Sequence, residues 1–395
     1  MSAPRRWLIA NLLAQIAFGL LAMTLCLPSM QEWGAIFQAD QAAVQLTFSA
    51  YVVAYGGLQL VYGPLSDRHG RKQILLLGLA LAGLGSLLAA LAPGLGSLTA
   101  ARFLQGAGAA ATMVIGRAMV QDQFDGAERT RLMAYIGMVL GLCPPLATVV
   151  GGQLHVRLGW QSNFVVLTAL SALMFIAAWR GLPGGKTVQP STDSHWLRVL
   201  AQSYARLARE PAFLLYIAIL SLSTATFYCF LAGAPIVLRS YGVGPDGVGW
   251  YIMCIPMAYI VGNFLTSRWV QARGERHVMR VGQGFALCGL ALLLALGFAG
   301  LQTPLAFSLP LILLGLGHGL LVPPSISGTV GLIPALAGTA AAAAGLVQQL
   351  MGAVGGYTVG LVSHNGSVNL GLLMLGFTLG ALAAQLVLHR SPRVL

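Results

Sequence analysis

The ten residues from Gly63 to Lys72, GPLSDRHGRK, separate two long apolar stretches of the chain. Each stretch is about 20 residues long, the length of helix that crosses the roughly 30 Å hydrocarbon core of a bilayer. Only 8% of the 395 residues are charged and 57% are hydrophobic, whereas charged residues make up about a quarter of a soluble domain. The composition therefore predicts that lipid, not water, surrounds most of the chain.

Counted outward from this segment, the apolar blocks predict twelve membrane spans, most of them separated by glycine, proline or charged residues. We therefore expect an all-α membrane protein with two six-helix bundles related by pseudo-two-fold symmetry, an arrangement in which the bundles can move around a site at the membrane midplane. The approximate limits of the spans are 7–30, 43–65, 73–92, 97–120, 132–153, 162–181, 212–236, 247–270, 279–300, 305–327, 338–362 and 367–389.

A polar stretch between the sixth and seventh spans sets the predicted domain limits. They are an N-terminal bundle over residues 1–182, a cytoplasmic linker over 183–211 and a C-terminal bundle over 212–395. From His195 to Glu210 the linker has apolar residues at helical spacing with arginines among them, a pattern typical of an amphipathic helix on a membrane surface. A flexible tether is the alternative interpretation.

The basic residues predict the orientation in the bilayer. If the N-terminus is cytoplasmic, only Arg157 and Arg239 of the 22 Lys and Arg residues fall on the outer side, Arg102 is left within the fourth span and the others lie at or near the cytoplasmic side. Because cytoplasmic loops are enriched in Lys and Arg, we expect both termini in the cytoplasm and the chain in a bacterial inner membrane. The net charge of +12 then reflects topology. The basic residues form no patch or stripe, so we expect no nucleic-acid partner.

The sequence gives little indication of an enzyme, a metal site or a cofactor. The five cysteines lie inside apolar stretches, their number is odd and no CxxC pair occurs, so neither a disulfide framework nor a zinc site is indicated. P-loop, HExxH and GxSxG motifs are absent from the sequence. We expect no cofactor and no enzymatic activity, and the missing P-loop argues against an ATP-driven pump.

The segment Gly63–Lys72 has the chemistry of a conformational gate. Gly63 and Gly70 would permit a tight turn, and Asp67 could pair with Arg68 or Arg71. An ion pair of this kind can form in one state and break in another. Ordinary anchoring by cytoplasmic basic residues is the alternative interpretation.

Arg102 lies in the apolar block of the fourth span, and Gln105 follows one helical turn later. A charge in that environment is costly and usually serves a function. Alternatively, the Arg102 side chain extends to the outer interface and keeps its charge in water.

GPLSDRHGRK resembles the signature loop of the major facilitator superfamily, and LTAARFLQGAGAA, residues 98–110, is similar to the fourth-helix motif of that family. LCLPSM (25–30), GWQSNF (159–164), FLAGAPIVL (230–238) and GLIPALAGTAAAAAGL (331–346) resemble its branch of bicyclomycin- and chloramphenicol-resistance drug:proton antiporters. The resemblance implies a secondary transporter, expected to be a monomer, that exports small, partly apolar compounds by alternating access in exchange for protons. A transporter of a native metabolite, such as a siderophore or an amino-acid derivative, is the alternative. A membrane receptor without transport activity is a rival from another class.

The resemblance also implies roles for individual residues. The fourth-helix arginine of the family, here Arg102, is implicated in proton coupling or substrate contact. In related proteins an acid at the end of that helix pairs with the signature-loop arginine, so we predict an ion pair between Asp122 and Arg71 that forms in one state only. In the fifth span, Ala147 and Thr148 stand where exporters of the family carry a Gly-Pro or Ala-Pro pair, so the match to the exporter motif is partial.

A proton antiporter also needs a group that titrates when access switches. Relatives often place an aspartate four residues before the first-helix proline, where this chain has Thr24, and no Asp or Glu lies deep in a predicted span. Glu32, four residues after Pro28, and His318, in the middle of the tenth span, are the further candidates besides Arg102. A packed, hydrogen-bonded histidine is the alternative for His318, and a driving force other than protons stays open.

Aromatic and amide side chains are candidates for the wall of a substrate cavity. On the second span such side chains recur at helical spacing and share one face, and an aromatic wall with few polar groups suits flat, amphipathic ligands. Helix packing or an aromatic belt at the membrane interface is the alternative. The predicted cavity residues are Tyr51, Tyr55, Gln59, Arg102, Gln105, Phe227, Tyr228 and Gln348.

Overall fold

The computed structural model describes residues 3–124, 126–184, 202, 204–333, 336–363 and 365–390. Within these ranges the regular elements are all helices, so the predicted all-α fold is confirmed. Numbered along the chain, the helices are α1 (Ala3–Thr24), α2 (Met30–Phe37), α3 (Gln41–His69), α4 (Arg71–Ala90), α5 (Leu95–Gln123), α6 (Gly126–Leu158), α7 (Gln161–Gly181), α8 (Pro211–Ser240), α9 (Pro245–Ile252), α10 (Cys254–Arg273), α11 (Glu275–Phe298), α12 (Pro304–Gly331), α13 (Ala337–Gly360) and α14 (Ser367–Arg390).

Eleven helical segments are long and apolar enough to cross a membrane, judged by length and composition in the described residues. One of them, Pro245–Arg273, combines α9 and α10. The predicted eleventh span, 338–362, forms α13, whose 24 residues include Gln348, Gln349 and many small residues. These residues lower its hydropathy, which explains why α13 is not among the eleven.

The first predicted span is broken near its C-terminal end. α1 ends at Thr24, residues 25–29 form turns and the short helix α2 follows. Pro28 lies in this break, where a proline lacks a backbone N–H and disfavours a helical conformation in the residue before it. The Trp33 ring of α2 stacks on Phe164 of α7 with ring centroids 6.2 Å apart, so α2 is fixed against the bundle despite its short length.

Two helices continue beyond their predicted spans because glycine, not a loss of hydropathy, ends them. α6 continues past residue 153 to Leu158, and Gly159 follows with a φ of 84°. α3 continues past residue 65 to His69, and Gly70 follows with a φ of 95°. Glycine adopts these left-handed angles without the steric penalty of a side chain.

The chain divides into two compact units, one of Met1–Ser191 with Gly244–Gly249 and one of Thr192–Val243 with Trp250–Leu395. The domain limits at residues 182 and 212 stay predictions. Of the predicted amphipathic helix of the linker, residues 195–201 and 203 lie outside the described ranges, whereas residues 202 and 204–208 are helical.

Within each unit, helices approach closely at small residues. In the first unit a side chain at Gly108 of α5 would collide with the Gly78 carbonyl of α4. In the second unit a side chain at Gly317 of α12 would collide with the Gly282 carbonyl of α11. Helices in lipid associate through such close backbone contacts, and at these positions only glycine leaves room for them.

Candidate functional site

The guanidinium of Arg102 is buried in the first unit, where the side chain is 1% exposed. Its Nη1 donates to the carbonyl oxygen of Ala22 at 2.9 Å and to Gln105 Oε1 at 2.5 Å, and its Nη2 donates to the carbonyl oxygen of Met23 at 3.3 Å. The last carbonyls of a helix have no partner within the helix, and a basic side chain can bind them favourably. Arg102 therefore holds the end of α1 and does not extend to an outer interface.

A polar network fixes the partners of Arg102. Gln105 Nε2 donates to Ser86 Oγ of α4 at 2.7 Å. The Tyr51 ring of α3 lies under the guanidinium, with 4.3 Å between Arg102 Cζ and the ring centroid, and its hydroxyl donates to the Gly19 carbonyl at 2.6 Å. The network thus joins α1, α3, α4 and α5. Among the ion pairs of the described residues none includes Arg102, so a fixed positive charge is balanced here by neutral groups and an aromatic face.

The predicted gate lies where α3 meets α4. Arg71 Nη1 is 2.5 Å from Asp67 Oδ1, Arg71 Nε is 3.1 Å from Asp122 Oδ2 at the end of α5, and Arg71 Nη1 donates to Ser66 Oγ at 2.8 Å. Arg71 therefore binds both Asp67 and Asp122, and both carboxylates are about half exposed. Arg68 is exposed.

One expectation about this segment is wrong. Gly63 was expected in the turn, but it lies inside α3, where an added side chain would only touch Val114. The helical hydrogen bonds continue past Gly63 and Pro64, and α3 ends only at His69. Gly70 alone makes the turn between the helices.

The two further candidates for proton coupling lie in different units. In the first unit, Glu32 Oε2 lies 3.0 Å from His155 Nε2. In the second, His318 is buried in the part of α12 where Gly317 and Gly319 pack against α11 and α10.

The predicted cavity residues of the second unit form cross-helix hydrogen bonds between α8 and α13. Tyr228 Oη donates to Gln349 Oε1 at 3.0 Å, and Gln348 Nε2 donates to Thr224 Oγ1 at 3.2 Å. The ring of Phe227 contacts that of Tyr228, with centroids 6.0 Å apart. These polar groups therefore find partners inside the unit, as groups at lipid depth must.

In the first unit the predicted cavity residues on α3 are mostly packed. Tyr51 and Tyr55 are buried and their rings stack with centroids 5.8 Å apart. Tyr62 is also buried, and Gln59 is half-buried. The shared face of these residues thus points mainly to neighbouring helices.

Sequence reasoning missed three polar residues that form a hydrogen-bonded chain starting at Glu32. They are, in order along that chain, His155, Ser29 and Asn163. His155 and Glu32 are 123 positions apart, and the predicted fifth span stopped before His155. The one signal in the sequence was the presence of a histidine just past an apolar block.

Comparison with known proteins gives the family. Residues 7–356 match the Major Facilitator Superfamily. Multidrug resistance protein D of Escherichia coli (strain K12) is 29% identical over 376 residues, which cover 93% of this chain and 92% of the relative. A chloramphenicol resistance protein of Pseudomonas aeruginosa is 28% identical over 368 residues, covering 91% of this chain and 85% of the relative.

A solved structure has the same fold. The bacterial homologue of the human lysosomal transporter Spinster superposes with a TM-score of 0.78 at 13% identity, over 100% of this chain and 98% of that chain. The family match, the relatives named for drug resistance and the apolar helices agree with one another. The chain therefore belongs to the Major Facilitator Superfamily and is a multi-pass membrane transporter, not an enzyme.

Proposed function

We propose that the chain exports small, partly apolar compounds from a bacterial cytoplasm by alternating access, in exchange for protons. Two relatives that match about nine-tenths of the chain are named for resistance to multiple drugs and to chloramphenicol. At 28% and 29% identity these names support a class of cargo and not one compound.

The observation that carries this proposal is the buried charge of Arg102. Its partners are neutral: two carbonyls at the end of α1, one amide oxygen and one aromatic ring. Leaving a buried polar group without a partner costs about 1–3 kcal/mol, an amount that a polar group of a substrate could offset by taking the place of one carbonyl. Arg102 would thus link substrate binding to the position of the α1 end.

In the second unit the proposed substrate contacts are Phe227, Tyr228 and Gln348, and in the first unit the proposed substrate wall contains Arg102 and Gln105. Tyr51, Tyr55 and Gln59 of α3 would line or support it. The Arg71 ion pairs with Asp67 and Asp122, next to Gly63, Arg68 and Gly70, would form the gate. The amide and hydroxyl groups supply the few polar contacts that orient a mostly apolar ligand.

We further propose that the protein is a monomer in the inner membrane with both termini in the cytoplasm. The support for this orientation is the distribution of arginine and lysine, because it would leave only Arg157 and Arg239 on the outer side. In this arrangement the bundles 1–182 and 212–395 are joined by a cytoplasmic linker.

Efflux from a pump-deficient bacterial host tests the proposal. Cells producing the chain should accumulate less chloramphenicol and tolerate severalfold more of it than cells producing Arg102→Ala at equal membrane levels. In everted vesicles with an imposed pH gradient, adding the drug should dissipate the gradient. Drug export without that signal would reject proton exchange, and movement of a siderophore or an amino-acid derivative in place of drugs would support the native-metabolite alternative.

A further inference from the structure

The first unit contains a chain of polar side chains beside the break between α1 and α2. Asn163 Nδ2 donates to Ser29 Oγ at 2.9 Å, Ser29 Oγ lies 3.0 Å from His155 Nδ1, and His155 Nε2 lies 3.0 Å from Glu32 Oε2. Ser29 and Asn163 are fully buried and His155 is 7% exposed, whereas the Glu32 side chain is 44% exposed. The chain therefore leads from an accessible carboxylate into the interior of the unit.

We propose that Glu32 and His155 together form the proton-binding site of this transporter, and that Ser29 transmits the protonation state to the end of α1. The proposal rests on the proton-coupled export proposed above and assigns the group that takes up the proton. Arg102 cannot be that group, because a guanidinium does not lose its proton in a protein.

The hydrogen bonds of the site fit a neutral His155 side chain. With a neutral imidazole that carries its proton on Nε2, His155 donates a hydrogen bond to the Glu32 carboxylate. Its Nδ1 then accepts a hydrogen bond from the Ser29 hydroxyl. Ser29 Oγ in turn accepts from Asn163. In this state the Nδ1 atom of His155 carries no proton, so the site can take up one more proton.

Proton uptake changes the role of Ser29. A proton added to the His155 ring gives Nδ1 an N–H, which can only donate. Ser29 Oγ must then accept this bond, and its own hydroxyl proton has to turn to another acceptor. No covalent bond other than the new N–H is formed or broken.

The position of Ser29 explains how this change would reach Arg102. Serine at the start of a helix normally accepts a hydrogen bond from a backbone N–H of the first turn, but Ser29 makes no such bond to α2. Its hydroxyl is used by His155 and Asn163 instead. Ser29 also ends the short turn that begins right after the α1 carbonyls bound by Arg102. Proton binding at His155 and the hydrogen bonds of Arg102 therefore both act on the backbone between Ala22 and Ser29.

A cluster of aromatic rings holds Glu32 close to His155. Trp33, next to Glu32, lies 6.0 Å from the Trp160 ring and 6.2 Å from the Phe164 ring, measured between centroids. Aromatic pairs at this separation stabilise a contact beyond the effect of their buried area. The cluster fixes α2 on α7, so Glu32 is held near His155 before any proton arrives.

Other ionisable groups near the pair are few. On the surrounding elements, Asp40 of the α3 start, Arg157 of α6 and Asp246 of the segment Gly244–Gly249 are exposed, and Arg102 is bound to α1. The remaining charges of α1, α5, α6 and α7 lie at the opposite helix ends, more than about 20 Å away at 1.5 Å per residue. The groups to consider are thus Asp40, Arg102, Arg157 and Asp246, together with the buried Cys26 thiol in the turn after α1.

The decisive experiment separates proton coupling from the substrate pathway. The purified full-length chain is reconstituted, and chloramphenicol transport is measured as accumulation driven by a pH gradient and as counterflow at equal pH. Glu32→Gln and His155→Gln should lower gradient-driven accumulation about tenfold or more and keep counterflow. His277→Gln, which changes an exposed histidine of the second unit, should keep both. Full gradient-driven accumulation in either of the first two variants overturns the proposal.

A second measurement does not depend on transport activity. Trp33 and Trp160 flank the pair, so tryptophan fluorescence of the purified wild type should show a step across about pH 5 to 8, where histidine titrates. The step should vanish in His155→Gln and persist in His277→Gln. If chloramphenicol is not carried, the export proposal fails for that drug while the fluorescence still tests the site. A step that persists in His155→Gln, or its absence in the wild type, overturns the site itself.

Discussion

Arg102 holds the end of α1 through a set of contacts that only a guanidinium can make together. It reaches the carbonyls of Ala22 and Met23 and the Gln105 side chain while its plane lies on Tyr51. A lysine ammonium keeps the charge but lacks the planar fork and the stacking face. We expect Arg102→Lys to fold and to lose efflux about tenfold or more, measured as drug accumulation at equal membrane levels.

The matched control for this change is Arg117→Lys, which alters an exposed arginine of the same helix and should leave efflux unchanged. Arg102→Ala is a less specific variant. This change leaves two carbonyls and Gln105 without their hydrogen-bond donor. Each unsatisfied group costs about 1–3 kcal/mol of stability. We therefore expect its loss of transport to be accompanied by a lower unfolding temperature. Wild-type efflux in Arg102→Lys would show that a positive charge alone is sufficient at this position.

Helix α5 is the element around which the first unit is packed, since it contacts α1, α3 and α4. A methyl group at Gly106 would collide with the backbone of Tyr51, whereas one at Gly96 meets open space. Overpacking costs about 1–3 kcal/mol, while alanine stabilises an exposed helix position over glycine by about 1 kcal/mol. We expect Gly106→Ala to lower and Gly96→Ala to keep or raise the unfolding temperature in detergent. Equal temperatures for the two variants would contradict the close contact of α5 with α3.

The ion pair between Arg71 and Asp122 joins the start of α4 to the end of α5. Exposed pairs of this kind contribute only about 0–1 kcal/mol to stability, so a role in transport has to come from forming the pair in one state and not in the other. We expect Arg71→Asp and Asp122→Arg each to abolish most efflux with little change in unfolding temperature, and the double reversal to restore part of it. Lys72→Asp, a reversal next to the pair, should keep efflux. A double variant no better than the single ones would reject the gate.

The helices and the ion pair between Arg71 and Asp67 could be predicted because their chemistry is contiguous in the sequence. An apolar block identifies a span, and GPLSDRHGRK contains both the turn glycine and the arginine that binds Asp67. The Glu32–His155 contact could not be predicted, because its residues are 123 positions apart and hydropathy falls before α6 ends. The same limit explains the error at Gly63, since glycine and proline do not stop a helix whose next turns are still hydrogen-bonded.

The orientation of the whole chain can be tested with four single cysteines in a background without the five native ones. His69 and Ala272 precede the turns after α3 and α10, and Leu91 and Ser240 lie at the ends of α4 and α8; all four are exposed. Enrichment of basic residues on the cytoplasmic side places His69 and Ala272 inside. We therefore expect Leu91→Cys and Ser240→Cys to react with a membrane-impermeant maleimide in intact cells, and His69→Cys and Ala272→Cys only after permeabilisation. The reverse pattern would invert the proposed direction of export, because the Arg71 gate would then face outward. Labelling of residues 69 and 91 from the same side would instead mean that α4 does not cross the bilayer, and the alternation of the spans would be wrong.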